Sequence, residues 1–96
     1  MDTTWYLYIL QCGDGSLYTG VTNDVEKRLE AHRQGKGAKY TRGRGPLQLV
    51  YQETCQGRSH ALQREIQVKK LPKAKKLLLI SSAEEISTEK NILSKA

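Results

Sequence analysis

The residues of this chain with chemistry to offer are few and widely spaced. Glu65 is the most telling. On a helical wheel it falls about 40° from Ala61, inside the arc from Val68 through Ala61 to Leu62 that reads as core-facing. A carboxylate in such a place costs several kcal/mol unless it is paired or binds a cation. Both routes are open: Lys69 stands four residues on, in the favourable order for a helical ion pair, and a divalent ion would serve as well. Arg28 and His32, one helical turn apart, are neighbours in space, as many surface pairs are. Tyr6, Tyr8 and Tyr18 crowd the stretch YLYILQCGDGSLYTG, although the chain has five tyrosines in all and no Phe. A half-buried cross-strand cluster would account for them without any activity.

The elements that must position these residues are legible from periodicity. Residues 5–12 and 16–22 alternate and are rich in aromatic and β-branched types, so they predict two strands around Gly13-Asp14-Gly15. A three-residue loop sets Leu10 against Tyr18 and Tyr8 against Gly20. That register gives Trp5, Leu7, Ile9, Leu17, Thr19 and Val21 one apolar face, and Tyr6, Tyr8, Tyr18 and Gly20 the other. Asn23 as N-cap and Glu26 three residues later form a capping box for a helix to about Gln34, with Gly35 as its stop. Val25, Leu29 and, at the edge, His32 face inward. The loop GKGAKYTRGRG holds four bases and is not a Walker A loop, though its glycines would let backbone N–H groups approach phosphates. Pro46 opens a third strand, Leu47 to Glu53, with Leu47, Leu49 and Tyr51 on one side. Ser59 caps a second helix to Leu71, and Pro72 starts a third over 73–81, basic outside and Leu-rich inside. Residues 82–96 read as a polar tail, either a short helix from Ser82 or frayed.

The composition excludes several classes. The chain of 96 residues suffices for one domain, here residues 1–81, with a modest core. Its longest apolar run, Leu77 to Ile80, is far short of the roughly 20 residues of a membrane span. Cys12 and Cys55 have no metal-ligand or disulfide-framework spacing, so a reducing cytoplasm is the expected compartment. Fourteen bases lie between Lys27 and Lys76 against three acids, a net +11, while the two ends together carry −5. That segregation is the footprint of a polyanion-binding surface.

Taken in order, the clustered phenols, the Arg/His helix, the basic glycine loop and the misplaced Glu resemble the GIY-YIG nuclease superfamily, in particular its small stand-alone bacterial subgroup. Tyr6-Leu7-Tyr8 stands where the family has Gly-Ile-Tyr, and Tyr18-Thr19-Gly20 where it has Tyr-Ile-Gly. Arg28, His32 and Glu65 follow at matching places, and the resemblance spans roughly residues 5 to 80. It implies an α/β (α+β) domain with a small, three-stranded, mainly antiparallel sheet flanked by helices. It also implies metal-dependent hydrolysis of phosphodiester bonds in DNA, in the setting of repair or recombination. Two features of the family lack a clear match. Its Asn near the domain's end has only Asn91 as a counterpart, and a second His of some relatives has only Lys39 or Tyr40 nearby.

The resemblance further implies a division of labour. A single Mg²⁺ or Mn²⁺ on Glu65 suits a hard ion that keeps much of its water shell. Tyr8 becomes the general base, with Tyr18 orienting water or phosphate and Gly20 structural. A free phenol, of pKa about 10, is only about a thousandth ionised at pH 7, so Arg28 or the metal is expected to lower it. His32 is expected to accept the proton in relay. Arg28 donates to the scissile phosphate, and Lys36, Lys39, Arg42 and Arg44 grip the backbone with little sequence preference. DNA is the expected partner, with RNA open, and no membrane. The rival readings are a non-catalytic nucleic-acid-binding module on the same basic face and an adaptor for an acidic protein.

Overall fold

The computed structural model describes residues 4–83. Their elements run β1 (Trp5–Gln11), β2 (Leu17–Thr22), α1 (Val25–Arg33), a single 3₁₀ turn (Lys39–Thr41), β3 (Gln48–Cys55), α2 (Arg58–Lys69) and α3 (residues 73–83). The expected short helix or frayed tail beyond residue 83 lies outside the described residues. The strands form one antiparallel sheet in the order β2-β1-β3. Tyr8 pairs with Gly20 and Leu10 with Tyr18, as the alternation requires. Cys12 N donates to Ser16 O at 2.8 Å and closes the turn.

Strand alternation splits the core into two clusters. Leu7 and Ile9 pack with Cys55, with Ala61 and Val68 of α2, and with Ile80 of α3. On the other face Tyr8, Leu10 and Cys12 pack with Leu47, Leu29 of α1, Tyr18 and Leu49. The sheet is therefore a partition, with α2 and α3 on one side and α1 with its following loop on the other. Both cysteines are free and buried.

Four local expectations are corrected. The N-cap of α1 is Asp24, whose Oδ1 accepts from Lys27 N at 3.1 Å. A carboxylate complements the positive end of the helix better than the amide of Asn23. The second helix begins one residue before Ser59, with Gly57 as N-cap at φ +146°, a conformation only glycine adopts readily. In β3, Leu49 opposes Leu10 while Tyr51 opposes Ile9, so a bulge at Val50 intervenes. Leu47 and Leu49 thus join the tyrosine cluster, whereas Tyr51 packs against the other one. In α3, Leu77 and Leu78 are 46% and 63% exposed, so only the Leu79–Ile80 side faces the core.

Thr19 sits on the apolar face of β2 at 3% exposure, and its hydroxyl has no hydrogen-bond partner among the described residues. A buried hydroxyl without a partner costs of the order of 1–3 kcal/mol. Thr19→Val keeps the branched shape and removes that cost, so it should raise the unfolding free energy by about 1 kcal/mol. Urea denaturation with an unchanged slope is the check; an equal or lower midpoint would show that the hydroxyl is solvated.

Candidate active site

The site forms where β1 and β2 face the C-terminal end of α1. Tyr8 and His32 are 2% and 1% exposed. Tyr8 Oη lies 2.8 Å from His32 Nε2. The ring of Tyr18 stands edge-on to His32, with centroids 5.2 Å apart, and 6.3 Å from that of Tyr8. Gly20 makes this possible: a Cβ there would sit 2.5 Å from Tyr8 Oη. His32, expected at the edge of the inward face, is in fact buried, because the glycine loop folds back over it. Gly37 packs so closely that a Cβ would lie 2.3 Å from His32 Nδ1.

That loop supplies partners the sequence reading missed. Thr41 Oγ1 is 2.8 Å from His32 Nδ1, and the Ala38 amide donates to the same nitrogen at 3.3 Å. Thr41 is itself 2% exposed. The one available signal was its place in a loop directly following His32. Tyr40, noted only for its position near a relative's histidine, stacks at 5.8 Å on Tyr18, and the Arg44 guanidinium lies 4.6 Å over its ring.

Burial dominates the electrostatics. It pushes the Tyr8 phenol up to about 12; a hydrogen bond and the charge of Arg28 pull the other way, and Tyr18 and Glu65 add to the rise. Arg28 therefore acts in the expected direction, but desolvation outweighs it, and the expected net lowering is corrected. Burial, and then the Arg28 charge, hold His32 below the ordinary imidazole value. Both partners of the 2.8 Å bond are thus neutral near pH 7.

Glu65 occupies the other layer, on α2 between buried Ala61 and Val68. Its side chain is 19% exposed and pairs with Lys69 Nζ at 3.4 Å, so the helical partner is realised. Its link to the phenols is electrostatic: its charge is felt at Tyr8. Next to it, Arg64 binds both carboxylate oxygens of Glu53 at 2.7 and 3.1 Å and ties α2 to β3. Among the described residues no cluster of three or more His, Cys, Asp or Glu side chains could hold a metal. A lone half-buried carboxylate with a solvated lysine fits an ion that retains most of its water.

The four loop bases are exposed, yet two of them also hold the loop. Arg42 Nε donates to Gly35 O at 3.2 Å, and Arg44 donates to Asp14 Oδ2 at 2.7 Å. Lys36 and Lys39 flank them. No helix among the described residues is long and apolar enough to cross a membrane.

The family model of the GIY-YIG catalytic domain matches residues 4–77, and the chain belongs to that family. Domains of this family are typically endonucleases and generally depend on a divalent metal, which suggests a nuclease-type function. The chain is 52% identical to a UPF0213 protein of Oceanobacillus iheyensis over 88% of its own length and 99% of that protein's. It is 58% identical to one of Clostridium perfringens over 80% and 83% of the two chains. The solution structure of a UPF0213 protein from Bacillus halodurans superposes with a TM-score of 0.53 at 50% identity, covering 81% of this chain and 83% of that one. The solution structure of a protein from E. faecalis gives a TM-score of 0.59 at 36% identity over 88% of this chain and 92% of that one.

A depressed histidine has a stability signature. Below the unfolded value of about 6.5 the unfolded chain binds the imidazole proton more readily than the folded one. Stability from His32 is therefore present above about pH 6.5 and lost as pH falls toward its lower folded value. Thermal unfolding between pH 7.5 and 5.5 should show this loss in the wild type and a flatter profile in His32→Gln. Parallel profiles would mean that the buried imidazole titrates normally.

Proposed function

We propose that the chain is a metal-dependent endonuclease that hydrolyses phosphodiester bonds in DNA with little sequence preference. The observation that carries this reading is the buried Tyr8–His32 hydrogen bond, with Arg28 beside it, at the foot of a basic loop. Glu65 would hold a single Mg²⁺ or Mn²⁺, and the ion supplies Lewis-acid polarisation of a phosphoryl oxygen. Arg28, always charged and fork-shaped, donates to the scissile phosphate. Tyr18 orients the attacking water against the same group. Tyr8 accepts the proton from that water, and its high proton affinity makes the phenolate a strong but scarce base. Lys36, Lys39, Arg42 and Arg44 bind backbone phosphates, which carry affinity and no base information. DNA repair or recombination is the setting this activity suits.

The test is cleavage of plasmid and single-stranded DNA with Mg²⁺ or Mn²⁺. Tyr8→Phe and Glu65→Ala should each lower the rate by about 10²–10⁴. Because Tyr8 holds its proton to about pH 12, the wild-type rate should climb roughly tenfold per pH unit between pH 7 and 9. With about six to ten phosphates contacted, raising salt from 50 to 200 mM should cost about 10³–10⁵ in affinity. Activity surviving both substitutions would identify a contaminant. Tight, salt-sensitive binding with no cleavage in any of the three proteins would replace the enzyme with a nucleic-acid-binding module, a reading that the Lys69–Glu65 pair favours.

A further inference from the structure

His32 has hydrogen-bonding neighbours at both ring nitrogens, and they are not interchangeable. At Nε2 the neighbour is the Tyr8 hydroxyl, which can donate or accept. At Nδ1 there are two: the Thr41 hydroxyl at 2.8 Å, which can also do either, and the Ala38 backbone amide at 3.3 Å, which can only donate. With a proton on Nδ1, that amide hydrogen would face another hydrogen in a part-buried place. The Thr41 hydroxyl has a single hydrogen and two acceptors in reach, the Ala38 carbonyl at 3.0 Å and His32 Nδ1 at 2.8 Å. With Nδ1 bare that hydrogen turns to the nearer nitrogen, the Ala38 amide donates there too, and the Ala38 carbonyl keeps the Thr41 amide at 3.2 Å. The protonation of one imidazole nitrogen is set by what the other one meets.

We propose that the Ala38 amide and the Thr41 hydroxyl are positioning groups that keep His32 neutral with its proton on Nε2, so that His32 donates its hydrogen bond to Tyr8 Oη. The expected relay is then reversed. His32 does not take the Tyr8 proton; it stabilises the phenolate left when solvent water or hydroxide accepts that proton, and the phenolic hydrogen is turned away from the ring. Neutrality of the imidazole agrees with its burial beside Arg28. Gly37 is part of the same device, because any side chain there would displace the ring from the Ala38 amide. The loop that carries Lys36, Lys39 and Arg42 thereby also fixes the hydrogen-bond polarity of the site. The catalytic part of this inference rests on the nuclease reading above, but the tautomer does not.

The experiment is nitrogen-15 NMR of the imidazole rings in the full-length chain at neutral pH, with His60→Gln to assign the two histidines. The expected result is a protonated, pyrrole-like Nε2 and a bare, hydrogen-bonded Nδ1 for His32. Tyr8→Phe should leave that tautomer unchanged, since the Nδ1 side sets it, while Nε2–H exchanges faster with solvent. Thr41→Val should move the Nδ1 signal toward that of an unbonded nitrogen, and Thr41→Ser should restore it. A proton on Nδ1 in the wild type overturns the proposal, as does a tautomer that shifts in Tyr8→Phe. An Nδ1 signal indifferent to Thr41→Val removes Thr41 from it. Absence of DNA cleavage would sink the nuclease reading and leave these spectra as they are.

Discussion

Everything in the site is arranged around one short contact between two neutral rings, Tyr8 Oη and His32 Nε2 at 2.8 Å, in a place that both rings occupy with almost no exposure. A buried polar group is tolerated when it is hydrogen-bonded and is costly when it is not. The contact therefore constrains its surroundings from two directions. On the strand side, β2 must have no side chain at residue 20, since the Tyr8 hydroxyl fills that space. On the loop side, residue 37 must have none either, because the imidazole fills that one. Two glycines far apart in the chain answer to one pair of rings.

The same burial explains why the site at rest is a poor source of base. Removing water disfavours phenolate and imidazolium alike, so the Tyr8 proton is held tightly and the His32 site is held empty. Arg28 lies close enough to oppose the first effect and reinforce the second, but it does not reverse the balance at Tyr8. Glu65, from the opposite layer of the sheet, acts against ionisation of Tyr8 as long as its charge is unscreened. A cation at that carboxylate would remove this opposition, which gives metal binding a consequence for the phenol without any direct contact being invoked.

Most of the framework was legible because strand alternation is a strict signal. A one-residue slip would have moved Tyr18 to the Leu7–Ile9 face and Leu17 to the tyrosine face, so the Tyr8–Gly20 register followed from the pattern alone. The resemblance of Tyr8, Tyr18, Gly20, Arg28, His32 and Glu65 to a family motif gave the candidate site, and the structure assembles the first five around one pair of rings. Glu65 was recognised by its angular place between Ala61 and Leu62, yet the wheel gives only the face of its own helix. Which side of the sheet that face covers is a matter of topology. The bulge at Val50 could not be read, because an extra residue in β3 leaves its composition unchanged while moving Tyr51 to the opposite face from Leu49. Thr41 was missed for a similar reason: its role depends on a loop with no periodicity, folding back nine residues to reach His32.

The loop also shows why a basic residue already in use need not be lost to a polyanion. Arg44 is committed to Asp14 and to the face of Tyr40, and both members of its ion pair are about half exposed. Exposed pairs contribute little, since water and salt compete for each partner. A backbone phosphodiester carries the same single charge as a carboxylate and likewise offers the guanidinium two oxygens, but it belongs to a dense array of like charges with condensed counterions. Exchange of Asp14 for a phosphate at Arg44 is therefore near even as a pair and is favoured by the counterions the strand releases, and it need not disturb the ring beneath. Arg42 differs, because its Nε holds the Gly35 carbonyl, yet its terminal nitrogens still leave it able to meet an anion. The loop can thus keep its shape over His32 while its outer surface changes partners, which is what a site that both binds a strand and holds an imidazole in place requires.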